Sequence, residues 1–233
     1  MDSSANNIAF CLPTFNEEKN IEYVITDIKK VYDGFLFVVD GFSTDNTVAI
    51  AEQMEVPIYR RKDKGKGSAL QKALEISMEN EKEFLVYMDC DRTYSAKDVI
   101  KAVENNQDFD LILGERPLAN INPFYRRWGN IIVTILINMV FNGKLTDSLS
   151  GVKCLRINKY HNAFHEEGFV IDPFICAYTL HHNMKINTVP INYYKREGLS
   201  KMNFALGLFE FIRLIKILWL LKFQKSTYIY PTR

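Results

Sequence analysis

Short apolar runs alternate with helical patterns along the first half of the chain. The runs are Ile8–Leu12, Phe35–Asp40, Val56–Tyr59, Phe84–Asp89 and Leu111–Leu113. Between them lie helical stretches near Lys19–Lys30, Asp45–Met54, Ser68–Asn80 and Ser95–Asn105. This βαβα rhythm predicts an α/β fold built on a doubly wound, mostly parallel sheet with helices on both faces. Two helix starts carry chemical marks: Asn16 before Glu17-Glu18, and Ser95-Ala96-Lys97-Asp98 as a capping box.

The second half is less regular. Residues 123–142 predict an apolar or amphipathic helix stopped by Asn142-Gly143. A loop over Lys144–Gly151 leads to a strand near Val152–Leu155. A helix is expected after Pro173, a strand near Ile186–Asn192 and a last helix over Met202–Phe223. No linker, repeat or low-complexity tract divides the chain, so a single domain is expected over 1–233.

Composition narrows the class. The chain has 233 residues, 47% hydrophobic and 24% charged, which is ordinary for a soluble globular protein with a sizeable core. A net charge of +1 provides no field to draw it to nucleic acid, so none is expected as a partner. Cys11, Cys90, Cys154 and Cys176 are scattered, which favours free thiols in a reducing compartment over disulfides or zinc. His161 and His165 stand four apart, but no thiolate or carboxylate set completes a zinc site. The start, Met1-Asp2-Ser3-Ser4, lacks the basic segment of a signal peptide. The most apolar stretch, Phe204–Phe223, is broken by Glu210, Arg213, Lys216 and Lys222. It suits a membrane interface better than a span.

The candidate chemistry sits at strand ends. Phe84–Met88 runs straight into Asp89-Cys90-Asp91. Ligands of open α/β sheets bind in the crevice at such ends. Two carboxylates there suit a hard divalent cation carrying a substrate diphosphate; the bland alternative is a helix cap and a solvated side chain. Asp40 ends the second run and could reach a base or ribose, or simply close a turn, while Ser43 and Asp45 look like helix caps. Arg60–Ser68 is basic and glycine-containing before a helix. It reads either as a phosphate contact through backbone N–H groups at its glycines and the helix N-terminus, or as a solvated loop.

Taken together, these segments resemble family 2 glycosyltransferases of the GT-A fold, and most closely the polyprenyl-phosphate (dolichyl-phosphate) mannose or glucose synthases. The resemblance rests on Leu12–Glu17, Val39-Asp40, Ser43–Thr47, Lys64–Leu70, Asp89–Asp91, Gly114–Arg116, Asp147–Gly151 and Arg196–Lys201. It implies that Pro13, Phe15, Glu17, Asp40, Lys66 and Asp89 hold the nucleotide. It implies that Asp89 and Asp91 flank Mg2+ or Mn2+, and that Arg116, Arg127, Arg196 and Lys201 hold diphosphate and acceptor phosphate. Asp91, Arg116, Arg196 and Lys201 are then the expected catalytic set. Residues 1–115 would form the nucleotide-sugar half, 116–201 the acceptor half, and 202–223 a membrane-associated amphipathic helix. The chain departs from the pattern at Gly41, Thr93, Tyr94-Ser95 and Ile171-Asp172, which leaves the base and sugar open.

The implied reaction is inverting transfer from GDP-mannose, UDP-glucose or a UDP-N-acetylhexosamine to a polyprenyl phosphate. Such an acceptor is already an anion, with a second pKa near ~6, and needs no general base. It needs cations, which Arg116, Arg126, Arg127, Lys195, Arg196 and Lys201 supply. The alternative is a saccharide or protein hydroxyl acceptor, for which Asp147 or Asp172 would serve as base. A sugar-phosphate nucleotidyltransferase is disfavoured, because Pro13–Glu17 stands where its glycine-rich loop belongs. A non-catalytic membrane-docking homologue is disfavoured by the intact Asp89/Asp91 pair. The expected location is peripheral, at the cytoplasmic face of a membrane. A homo-oligomer or a small membrane subunit is an expected partner.

Overall fold

The computed structural model describes residues 7–61, 65–106, 108–121, 123–161, 163, 170–197 and 204–223. Lys64, His165 and Lys201, and the start of the last helix at Met202, lie outside them.

The apolar runs become strands β1 (Ile8–Thr14), β2 (Phe35–Asp40), β3 (Ile58–Arg60), β4 (Phe84–Met88) and β5 (Leu111–Glu115). β6 (Val152–Arg156) and β7 (Ile186–Pro190) complete one seven-stranded sheet in the order β3-β2-β1-β4-β6-β5-β7. All neighbours pair in parallel except β6, which runs antiparallel to both β4 and β5. β1, β2, β4 and β5 are buried on both faces, which is why they read as unbroken apolar runs. Their side chains still divide by pleat: Ala9, Cys11, Leu85 and Tyr87 enter one core, and Ile8, Phe10, Phe84 and Val86 the other.

Helices cover both faces, as expected. α1 (Ile21–Lys29), α2 (Thr47–Gln53) and α4 (Ala96–Glu104) pack Ile25, Ala51 and Val99 into the second core. α3 (Lys66–Glu79), α5 (Phe124–Phe141), α6 (Ile157–Tyr160), α7 (Ile171–His181) and α8 (Phe204–Phe223) pack Leu70, Ile137, Ile157, Phe174 and Leu218 into the first. The four cysteines are free and buried. Asn142 ends α5 in the left-handed conformation at φ 54°.

Three expectations need correction. α1 begins at Ile21, not beside Asn16, which stands at φ 54° and bonds instead to the loop after β2. The Ser95 side chain makes no capping bond; the Ala96 N–H donates across to Asp27 of α1 at 2.9 Å. α7 starts at Ile171, ahead of Pro173. Proline is tolerated in a first turn, where its missing N–H has no helical acceptor. That shift puts Asp172 on the helix.

α5 and α8 pack together and leave apolar stripes outside. α8 buries Leu214, Ile217, Leu218 and Leu221 but exposes Phe209, Ile212, Trp219 and Phe223. α5 exposes Phe124, Trp128, Ile132, Ile135 and Met139. No helix among the described residues is long and apolar enough to cross a membrane.

Candidate active site

β1, β2 and β4 are neighbours and end together, so the segments after them share one crevice. Asp89 leaves β4 with its N–H donating to the Gly151 carbonyl at 3.2 Å. The Gly151 N–H in turn donates to the Tyr94 hydroxyl at 2.9 Å. A Cβ on Gly151 would collide with the Asp89 carboxylate, so glycine lets the two backbones close up. Asp91 is buried, and its Oδ1 accepts from the Thr93 hydroxyl (2.5 Å) and N–H (3.3 Å). Its Oδ2 faces the Arg196 guanidinium at 3.4 Å, which also lies 3.8 Å from Glu17. Thr93 and Tyr94, two departures from the family pattern, thus orient the acidic pair.

Beneath the pair lies a charged network. Lys66 opens α3 after Gly65, whose φ of 113° only glycine adopts readily. The Lys66 ammonium sits 2.7 Å from Asp89 and 2.8 Å from Asp172. Asp172 also holds Lys153 at 2.8 Å, and Lys153 donates to the Ser150 carbonyl. Burial alone would raise the Asp172 carboxyl, but Lys153 and Lys66 outweigh it and hold the group below the usual carboxylate range. Burial pushes the Asp89 carboxyl up, against the pull of Lys66. Burial would lower the Lys66 ammonium; Asp172 and Asp89 overcome that and keep it charged. Lys66, which the resemblance assigns to the nucleotide, thus braces Asp89 through an ion pair.

The Nε and a terminal nitrogen of Arg116, a residue the family resemblance assigns to phosphate, donate to Asp147 at 2.7 and 2.8 Å. Asn130 of α5 adds a bond to Asp147 at 2.7 Å, and the guanidinium lies over the Tyr193 ring at 5.3 Å. Asp147 is fully buried; burial would raise its pKa, but the Arg116 bonds hold it below the ordinary range. Neither Asp147 nor Asp172 is therefore a ready proton acceptor.

The nucleotide side is mixed. Asp40 is also fully buried, and its carboxylate accepts from the Ser43 hydroxyl and N–H at 2.5 and 3.0 Å. These bonds close the turn after β2. Asn46 is the N-cap of α2 and its side chain makes no capping bond; Asp45 accepts from the Thr47 N–H at the start of α2 and from the Glu18 N–H after β1. Phe15 and Phe42 are exposed aromatics at the two strand ends, Pro13 is half-buried and Glu17 is buried. The Asn20 amide donates to Glu17 at 2.8 Å. Arg61 spans from the Gly41 carbonyl (3.1 Å) to that of Gly65 (2.6 Å), tying the loops after β2 and β3 together. Half-buried Arg127 donates to the Ala119 carbonyl at 2.7 Å. Lys153, Thr93 and Gly151 were not anticipated as site residues; the one signal was a lone lysine inside an apolar strand.

The acidic pair fits a metal that arrives with its substrate. Among the described residues, no three His, Cys, Asp or Glu side chains converge into a self-sufficient metal or zinc site. Two hard carboxylates supply what Mg2+ or Mn2+ takes from a protein when diphosphate oxygens and water complete the shell.

The chain is 28% identical over 203 residues to a dolichyl-phosphate hexose transferase of Haloferax volcanii, covering 85% of this chain and 87% of that protein. It is equally similar to glycosyltransferase AglJ of the same organism, of which it spans 66%. An undecaprenyl-phosphate mannosyltransferase of Micrococcus luteus is 24% identical over 208 residues, 82% of this chain and 86% of that one. Glucosyl-3-phosphoglycerate synthase of Mycobacterium tuberculosis, solved with Mn2+ and UDP-glucose, superposes with a TM-score of 0.72. It shares 18% identity and covers 98% of this chain and 83% of that one, which shows the GT-A fold. The family model described as glycosyl transferase family 2 matches residues 9–169, and the chain belongs to that family of glycosyltransferases.

Proposed function

We propose that the protein is an inverting hexosyltransferase that moves a sugar from a nucleotide diphosphate to a polyprenyl phosphate. The observation that carries this reading is the state of Asp147 and Asp172. Asp147 is buried and Asp172 half-buried; both are ion-paired and held below the usual carboxylate range, so a hydroxyl acceptor would find no ready base in them. A phosphate monoester needs none: its second pKa is near ~6 and its oxygen is already anionic at neutral pH. A phosphate oxygen attacks the anomeric carbon, the bond to the nucleotide diphosphate breaks, and its electron pair leaves with the diphosphate. The relatives named for dolichyl and undecaprenyl phosphate support the same acceptor class.

In this reading Asp89 and Asp91 hold Mg2+ or Mn2+, which neutralises charge on the departing diphosphate. Lys66, Thr93 and Gly151 fix the two carboxylates. Pro13, Phe15 and Glu17 flank the nucleotide, and Arg196, Arg127 and Lys201 hold phosphate groups. Residues 1–115 serve as the donor half and 116–201 as the acceptor half of one domain. The apolar stripes of α5 and α8 lie against the cytoplasmic face of a membrane, where a lipid phosphate emerges.

The test is transfer by purified protein from GDP-mannose, UDP-glucose or UDP-N-acetylglucosamine, with Mn2+ and undecaprenyl phosphate. One donor should deliver labelled sugar to the lipid fraction, and EDTA should stop it. Transfer to a free sugar or peptide hydroxyl, with lipid phosphate ignored, would overturn the acceptor assignment.

A further inference from the structure

Asp91-Arg92 faces Arg196-Glu197 with charges crossed. Arg196 lies 3.4 Å from Asp91, and Arg92 lies 3.2 Å from Glu197. The Arg92 guanidinium stacks on the Tyr23 ring at 4.8 Å and donates to the Lys19 carbonyl, so it is anchored on the front of α1. Arg92 also stands at φ 61°, a left-handed conformation that a non-glycine residue keeps only where its surroundings hold it. The segment carrying Arg196 is loosely supported. Tyr194, Lys195 and Glu197 are exposed, and a cleft of about 340 Å³ lined by Tyr23, Arg92, Tyr94, Tyr194 and Glu197 lies beside it. Beyond the Arg92–Glu197 pair, its polar ties to the rest of the site include the Tyr194 N–H on the Thr93 carbonyl (2.9 Å) and the Asn20 amide on the Glu197 carbonyl (3.4 Å).

We propose that Arg92 and Glu197 form a latch that holds the Arg196 guanidinium at Asp91 and Glu17, making both of them positioning residues for transfer. The inference rests on the reading of Arg196 as a phosphate-binding group. The latch sets where Arg196 waits without touching substrate. Its loss therefore resembles a diluted loss of Arg196 itself.

Glu197→Gln removes the pair from an exposed position and leaves the core untouched. Arg92→Asn removes the cation while keeping a residue that tolerates the left-handed backbone. With undecaprenyl phosphate as acceptor, Glu197→Gln should lower kcat/KM by up to about fivefold, the ceiling for an exposed pair. Arg92→Asn, which also loses Tyr23 and Lys19, should lower it by about tenfold. KM for the nucleotide sugar should move less than twofold. In an Arg196→Ala background, Glu197→Gln should have no further effect, because the latch acts through Arg196. An equal loss in both backgrounds, or no loss in either, overturns the proposal. Trypsin cleavage after Arg196 in ligand-free protein gives a readout independent of any substrate. Arg92→Asn, which leaves the sequence around the scissile bond unchanged, should speed it several-fold, and an unchanged rate overturns the latch even if the acceptor assignment itself fails.

Discussion

Replacing Asp147 by asparagine separates a structural carboxylate from a chemical one. In the wild type, Oδ1 accepts from the Arg116 terminal nitrogen (2.8 Å) and Asn130 (2.7 Å), and Oδ2 from Arg116 Nε (2.7 Å) and the Arg116 N–H (3.3 Å). An asparagine keeps one oxygen. Whichever way its amide turns, the NH2 end meets two donors, and the buried guanidinium loses its counter-charge. Removing one partner of a buried pair costs about 3–5 kcal/mol; the retained oxygen places this case near the lower end, at about 3 kcal/mol. For a chain of this size that lowers Tm by roughly 6–12 °C. Arg116→Met with Asp147→Leu should recover more than half of the loss, since apolar replacement of a whole buried pair is often neutral. The assay is thermal and urea unfolding followed by circular dichroism, with turnover measured well below the lowered Tm. Substantial turnover in a destabilised Asp147→Asn protein is expected. An asparagine variant that unfolds like the wild type yet cannot turn over would make Asp147 the base, and would refute both the pairing argument and the phosphate acceptor.

Acid should unfold the protein through the same carboxylates. Asp147 and Asp172 are held below their ordinary pKa of about 3.9, so their stabilisation is full above that value. It is lost as pH falls through the folded-state values, at up to about 1.4 kcal/mol per pH unit per group, and Asp147→Asn should flatten that slope in urea titrations below pH 4. Gly151→Ala should press on the Asp89 carboxylate, cost about 1–3 kcal/mol of overpacking and raise the Mn2+ concentration needed for half-maximal transfer. An unchanged Mn2+ requirement would mean that Asp89 does not depend on this contact. Ile212→Glu with Trp219→Glu, both on the exposed stripe of α8, should cut co-sedimentation with anionic liposomes at least tenfold, since each apolar side chain contributes up to about 1.5–3 kcal/mol of transfer. Unaltered sedimentation would place the lipid contact elsewhere.

The sheet was legible because its signals are local. An apolar run such as Phe84–Met88 needs no partner to identify it, and the Asp89/Asp91 pair stands where the run stops. Pairing between distant charges was not legible. Arg116 and Asp147 are 31 positions apart, and nothing near either one marks the other as its partner. The same holds for Lys66 and Asp172, 106 positions apart. Asp40 is ambiguous for a related reason: a strand-ending aspartate looks alike whether it faces a ligand or bonds to the serine three residues on. Lys153 could have been found, because a lysine inside an apolar strand demands a buried anion.

The reversal of β6 also dictates an order of assembly. β3, β2, β1 and β4 form a continuous sub-sheet from residues 8–88, whereas among the described residues Leu111–Glu115 pairs with β6 and β7 alone. A growing chain therefore carries Leu111–Glu115 without a strand partner until Val152 has been made. Over that interval the β4 edge, with Phe84, Val86 and Met88, stands open to any other strand. The antiparallel insertion seals it, and the same event delivers Gly151 to Asp89 and Lys153 beneath the crevice. Closure of the sheet and completion of the acidic pair's surroundings are one step, so a chain cut short of residue 152 would combine an aggregation-prone edge with an unsupported site.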